Sequence, residues 1–203
     1  MKIKHLSIVF LIGGLTLVGC HPSPKADPET TAGKGSEISR KAPENNSQPV
    51  IADIGDDMVD GDLIDREGNI RHLSEFKGKY ILLDFWNRGC GPCMKAFPEA
   101  AEIAQAYKGT LEVVGICIGN KKSMDAVLTK YQPKGNQWRQ RKLGAEGLVA
   151  AYQVMSVPHY VLISPEGKIL DMWTGYRKGL LKGKMKEWIS THSVRGMINC
   201  TNE

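Results

Sequence analysis

Apolar residues along this chain gather in runs whose period changes, and each change marks an element. Tyr80-Ile81-Leu82-Leu83-Asp84-Phe85 is almost continuously apolar, the pattern of a strand covered on both faces. Leu111–Ile118 repeats that pattern. Between the two runs, Phe97, Ala100, Ala101 and Ala104, with Tyr107 beyond them, recur at helical spacing. A helix from about Pro92 to Tyr107 is predicted, kinked by Pro98, and a helical crossover makes the two strands parallel. Tyr160–Ser164 and Ile169–Thr174 are predicted strands, joined by Pro165-Glu166-Gly167-Lys168 into an antiparallel hairpin. Further helices are predicted at Ser123–Tyr131, Glu146–Tyr152 and Leu180–Ser190. Upstream, Asp65-Arg66-Glu67-Gly68-Asn69 reads as a turn between two short strands, and Leu73–Phe76 as a helical turn. The predicted class is α/β, a central mixed β-sheet flanked by helices. It carries an N-terminal strand extension and an inserted helical connection between Ile118 and Val154.

The first nineteen residues follow a different logic. Lys2 and Lys4 precede an apolar run from Leu6 to Val18 that is short for a bilayer span and reads as a targeting signal. The run ends in Leu17-Val18-Gly19-Cys20, which resembles a bacterial lipobox. The resemblance implies that residues 1–19 are a lipoprotein signal peptide and that Cys20 is lipidated. Two or more acyl chains anchor a protein stably, so the expected location is the cell envelope, lipid-anchored and facing the periplasm. His21-Pro22-Ser23 lacks the aspartate that retains some lipoproteins at an inner membrane, which tilts the expectation toward the outer one. That compartment permits disulfides. Residues 20–57 hold Pro22, Pro24, Pro28, Pro43 and Pro49 among Ser, Thr, Asn, Lys and Glu without apolar periodicity, so they are expected to form a disordered tether. The folded domain is placed at 58–190 and a polar tail at 191–203.

Composition narrows the function classes. At 203 residues the chain has room for one ordinary domain with appendages. The 27 Lys and Arg stand against 22 Asp and Glu, and loss of Lys2 and Lys4 with the signal peptide narrows that margin. So small an excess gives no argument for a nucleic-acid partner, and none is expected.

The chemistry concentrates at Cys90-Gly91-Pro92-Cys93, between a buried strand and the first turn of a helix. Proline is already set to helical φ at a first helical position. The Cys90 thiol then faces unpaired N–H groups and the positive end of the helix dipole, which favour the thiolate. Cys93 lies inside the helix and is the expected resolving thiol. A zinc site would need two further ligands at metal spacing; there is no second such pair, and the His residues stand far apart at 5, 21, 72, 159 and 192. A purely structural disulfide closing so short a loop would constrain the unfolded chain little.

Asp84-Phe85-Trp86, the Cys90–Cys93 segment and Pro98 resemble the active-site segment of the thioredoxin family. Val157-Pro158 followed by Tyr160-Val161-Leu162-Ile163 is similar to that family's cis-proline segment and hairpin. The long connection after Ile118 and the strands before Lys77 bring the membrane-anchored, cytochrome-maturation type of thiol-disulfide oxidoreductase closest. The resemblance implies a thioredoxin-like fold from about Met58 to Ser190. It implies a cis Pro158 against the Cys90 sulfur, with the Val157 backbone left to pair with an extended substrate strand. Asp84 stands where thioredoxin has its buried aspartate, and the proposed use is to take the proton from Cys93; a hydrogen-bonded structural aspartate is the alternative. Three positions depart from the family pattern. Gly89 replaces the usual tryptophan before the first cysteine, which flattens the rim together with Asn87 and Arg88. Arg88 either helps hold the thiolate or is a solvated loop residue. Ala96 stands where the membrane-anchored type carries a glutamate.

The expected activity is dithiol-disulfide exchange through Cys90 and Cys93 with partner proteins of the envelope, fed by a membrane or soluble thiol donor and requiring no cofactor or metal. Gly91-Pro92 resembles the dipeptide of reducing thioredoxins and favours a reductase, with the oxidative direction left open. The alternative is a copper-binding or metallochaperone module using Cys90, Cys93 and His159. Cys117, in an apolar strand, is expected to be a core residue. Cys200, in the tail, either pairs with another thiol or has no function.

Overall fold

The computed structural model describes residues 50–142 and 147–199, except for the side chains from 191 onward. Residues 1–49, which include the segment read as a signal peptide, Cys20 and most of the expected tether, lie outside the described residues, as do Glu146 and Cys200.

Among the described residues seven strands form one sheet: β1 (Leu63–Ile64), β2 (Ile70–Arg71), β3 (Tyr80–Trp86), β4 (Leu111–Cys117), β5 (Asn136–Gln140), β6 (His159–Ile163) and β7 (Ile169–Thr174). Their spatial order is β2-β1-β5-β4-β3-β6-β7. β3 runs parallel to β4 and antiparallel to β6, and β6 and β7 form the expected hairpin. The helices are α1 (Gly91–Ala106), α2 (Lys121–Tyr131), α3 (Leu148–Ala151) and α4 (Leu180–Asn199), with a 3-10 turn at Leu73–Phe76. This is the mixed-sheet, thioredoxin-like α/β plan. α1 contains Pro98 near its middle, and its buried stripe of Ala96, Phe97, Ala100 and Ile103 lies on the sheet.

Strand alternation divides the core. Ile81, Leu83 and Phe85 pack with Ala52, Val114, Ile116, Trp138, Val161 and, from the α3 segment, Leu148, Val149 and Tyr152 on one face. Tyr80 and Leu82 pack on the other face with Ala100 and Ile103 of α1 and Leu181, Met185 and Ile189 of α4. On that same side Trp86 meets Cys90, Cys93, Phe97, Cys117 and the buried residues of α2.

Three boundaries differ from the sequence expectation. The connection after β4 is not wholly helical, because it adds β5, which pairs with β4 on one side and β1 on the other. Asn-Gln-Trp-Arg-Gln has a single apolar residue, so its burial depends on its neighbours and not on its own pattern. The packed region also begins before Met58. Ala52 is buried and its N–H donates to the Ala151 carbonyl, while Gly55 N–H donates to Ile169 and Ile169 N–H to Asp56. These backbone bonds replace the apolar periodicity that the segment lacks. Finally, α4 continues to Asn199, past Ser190 and into the segment read as a tail.

Candidate active site

The strand β3 ends at Trp86, and the next four residues turn the chain into α1. Asn87 organises that turn: its Oδ1 accepts the Gly89 N–H at 3.0 Å and its carbonyl accepts the Cys90 N–H at 3.2 Å. Cys90 is the N-cap of α1, with extended backbone and with Pro92 in the first turn. Its Sγ accepts the Cys93 N–H at 3.1 Å, as a helix cap oxygen would. Cys90 and Cys93 are joined by a disulfide. Cys90 keeps 7% of its surface accessible and Cys93 none, so an incoming sulfur meets Cys90 first. Gly89 and Arg88 are exposed on the rim.

The Val157-Pro158 peptide is cis, and Val157 packs against the cluster that holds both cysteines. The Pro158 carbonyl accepts the Gly175 N–H, tying this loop to the end of β7. Trp86 is fully buried and edge-on to Phe97, with ring centroids 5.8 Å apart. Its indole N–H donates to Gln137 Oε1 at 3.1 Å. Gln137 comes from β5, and sequence reasoning missed it. A Cβ on Gly115 would lie only 2.3 Å from Gln137 Oε1, so the glycine makes room for this amide.

Asp84 lies between Leu82 and Trp86 on β3, on the face of the sheet beneath α1. It is 2% exposed, and Oδ1 has no hydrogen-bond partner. Burial pushes its carboxyl up to about 7, which suits a group that must both accept and release a proton near neutral pH. Ala96 is fully buried against the sheet, so no acid occupies that position.

A second acid, Glu99, also escaped the sequence reading. It lies one turn beyond Ala96 and is buried. It accepts hydrogen bonds from the Tyr176 hydroxyl and from the N–H groups of Gly179 and Lys182 at the start of α4, all within 2.8–2.9 Å. Burial works to raise its pKa, but these donors hold it below the usual carboxylate value. Its sequence signal is a glutamate on the apolar stripe of an amphipathic helix.

His159 does not join the cysteines. It pairs in register with Phe85 and meets that ring edge-on at 6.1 Å, on the opposite face of the sheet from Asp84 and Trp86. Its Nδ1 shares a hydrogen bond with Thr174 Oγ1 at 2.9 Å. Burial lowers its pKa, against an upward pull from the Tyr152 backbone, which favours a neutral ring. Among the described residues no group of three His, Cys, Asp or Glu side chains is placed to hold a metal. The copper reading needs Cys90, Cys93 and His159 to converge, and the register of β6 turns His159 away. Cys117 is a buried core thiol with its pKa raised to about 12 by burial, which makes it unreactive.

The family model described as Thioredoxin-like matches residues 78–169. Thiol-disulfide oxidoreductase ResA of Bacillus subtilis (strain 168) is 33% identical over 122 residues, spanning 60% of this chain and 67% of that protein. The solution structure of a thiol:disulfide interchange protein from Bacteroides sp. superimposes with a TM-score of 0.61 at 27% identity, covering 69% of this chain and 91% of that one. The thioredoxin domain of a thiol-disulfide oxidoreductase from Bacteroides vulgatus gives 0.57 at 28% identity, covering 62% and 91%.

Proposed function

The chain belongs to the thioredoxin-like thiol-disulfide oxidoreductases, and from that premise we propose that it reduces disulfides of proteins in the cell envelope, with Cys90 as nucleophile and Cys93 as resolving thiol. The observation that carries this reading is the Cys90–Cys93 bond at the head of α1, where the Cys90 sulfur already accepts a helix N–H. Such a donor, with the helix dipole, favours a thiolate once the bond is reduced.

The Cys90 thiolate attacks one sulfur of a partner disulfide, that S–S bond breaks, and the released partner sulfur leaves as a thiolate and takes up a proton. A mixed disulfide now joins Cys90 to the partner. Asp84 takes the proton from Cys93, whose sulfur attacks Cys90. The second partner sulfur departs, and the Cys90–Cys93 disulfide forms. Two electrons have passed from the enzyme dithiol to the partner, and a thiol donor restores the dithiol. Pro158 shapes the docking groove, with the Val157 backbone aligning an extended segment of the partner. The reductive direction rests on Gly91-Pro92 between the cysteines. The same reading has residues 1–19 removed, Cys20 lipidated, and the segment up to about Val50 serving as a tether that holds the domain off the membrane.

Full-length protein carrying Cys93→Ala tests the function. Expected are covalent complexes with envelope proteins that dithiothreitol releases and that Cys90→Ser in the same background abolishes. Recovery of no such complex from cells expressing the variant would overturn the reading. Cys20→Ser tests the anchor separately, since it is expected to move the protein from the membrane to the soluble fraction with its disulfide exchange intact.

A further inference from the structure

A single row of residues crosses the sheet face under α1. In register it runs Gln137 of β5, Gly115 of β4, Asp84 of β3, Tyr160 of β6 and Trp173 of β7. The next row on that face is apolar in the three central strands, with Val113, Leu82 and Leu162, and ends at β7 in Asp171, which is paired with Lys184 and Trp188. A polar row inside an apolar layer calls for an account of each polar atom.

Tyr160 lies directly opposite Asp84 in an antiparallel pair, a placement that sets Cβ atoms about 4.5–5.5 Å apart. Tyr160 is fully buried, and its ring stacks on Trp173 with centroids 5.2 Å apart and planes 23° apart, so the phenol is held beneath the helix layer. Asp84 Oδ1, Tyr160 Oη and Trp173 Nε1 are all buried without a hydrogen-bond partner, so Tyr160 and Asp84 are not bonded to each other; of the two donors, Tyr160 is on the strand next to Asp84 and Trp173 one strand further away. The other groups around Asp84 are already engaged or are reactants. β4 presents only Gly115, and the Gln137 amide that fills its space accepts from Trp86. α1 sets Cys90 and Cys93 against Trp86, the next residue of β3 on that face, and carries Glu99, which acts on Tyr160 electrostatically but already holds the Tyr176 hydroxyl. Tyr160 is the hydroxyl left to serve Asp84.

We infer that Tyr160 is the positioning residue for the Asp84 proton step, donating its O–H through one bridging water to the carboxylate once that carboxylate is ionised. The inference rests on the reading of Asp84 as the acceptor of the Cys93 proton. In that step the Cys93 S–H bond breaks, the proton goes to Asp84, and the sulfur electron pair forms the bond to Cys90 as the partner sulfur leaves. Tyr160 keeps its own proton throughout. Burial, and after it the negative charge of Asp84, raise the Tyr160 pKa, which preserves the donor. The hydrogen bond stabilises the charged carboxylate and therefore holds the Asp84 pKa below the value that burial alone would impose.

Tyr160→Phe removes one oxygen and keeps the ring. Stopped-flow mixing of the reduced full chain with a fluorescent disulfide-bonded peptide, from pH 5 to 9, separates the attack by Cys90 from resolution by Cys93. For Y160F the acid limb of the resolution profile is expected to move up by about one pH unit, making resolution about tenfold slower below it, with the attack phase unchanged. The Asp84 carboxyl carbon resonance should titrate at correspondingly higher pH. In an Asp84→Asn background, Y160F should have no further effect on resolution. If Y160F and the parent superimpose while D84N is slow, the role of Tyr160 is overturned and that of Asp84 stands. If Y160F slows resolution equally with and without Asp84, Tyr160 is only a packing residue. If D84N resolves like the parent, the reading of Asp84 fails and the inference falls with it.

Discussion

Two buried carboxylates under the same helix layer have opposite fates. Glu99, at the seam of α1 and α4, is surrounded by donors that satisfy it. Asp84, on the sheet floor beneath the cysteines, has an oxygen with no partner. Burial acts to raise both pKa values, but the Glu99 carboxyl ends below its usual value while that of Asp84 rises to about 7. Burial alone therefore does not decide in which direction the pKa of a buried acid ends up. The donors around the acid do, since they decide which protonation state the folded protein favours.

The largest effect that can break this comparison is Asp84→Asn. The folded protein holds the Asp84 proton up to about pH 7, whereas the unfolded chain releases it near the usual 3.8. The native state therefore binds the extra proton between those values, and its stability falls as pH rises through that window. Asn removes the buried charge, so D84N should be more stable than the parent by up to about 4 kcal/mol at pH 8 and nearly equal to it at pH 4. Urea unfolding at the two pH values measures this. A D84N protein less stable at pH 8 would mean that enough donors surround Asp84 to hold it ionised, as they do Glu99, and that it is structural.

Glu99→Gln sharpens the other side. The amide keeps one acceptor oxygen, for the Tyr176 hydroxyl and the Gly179 N–H, but turns its NH₂ group toward the Lys182 N–H, so a loss of about 1–3 kcal/mol is expected at pH 7. Faster hydrogen exchange in the first turn of α4 should accompany it, with the resolution step unchanged. Because folding holds the Glu99 pKa down, this contribution is present above the usual carboxylate range and is lost as pH falls through the lowered native value. Equal acid unfolding of E99Q and parent would make the seam bonds incidental.

The smallest expected effect belongs to His159→Thr. With the ring on the Phe85 face and its pKa lowered, the alkylation rate of reduced Cys90 by iodoacetamide should follow the same pH curve in variant and parent. A raised apparent thiol pKa in the variant would return the histidine to the site.

The elements of the site were legible because their causes are local. Asn87, Cys90, Pro92 and Cys93 lie within seven positions, and the end of an apolar strand followed by proline is enough to set a cysteine at a helix N-cap. The hairpin of β6 and β7 and the crossover of β3 through α1 to β4 follow from periodicity and turn residues in the same way. A strand such as β5 gives no such signal, because a polar segment becomes a strand when its two neighbours offer unpaired backbone groups, and those belong to β1 and β4.

By itself, then, the sequence determined the αβ order, the redox pair and the presence of an acid on the strand before it. Only the tertiary structure decided which side chains that acid meets. Tyr160 faces Asp84 and His159 turns away because the register of β6 on β3 assigns them to opposite faces. Glu99 finds its donors in a helix that begins some eighty residues later. These partners come from distant parts of the chain, and their pairing follows from strand register and helix docking, which no local pattern of residues encodes.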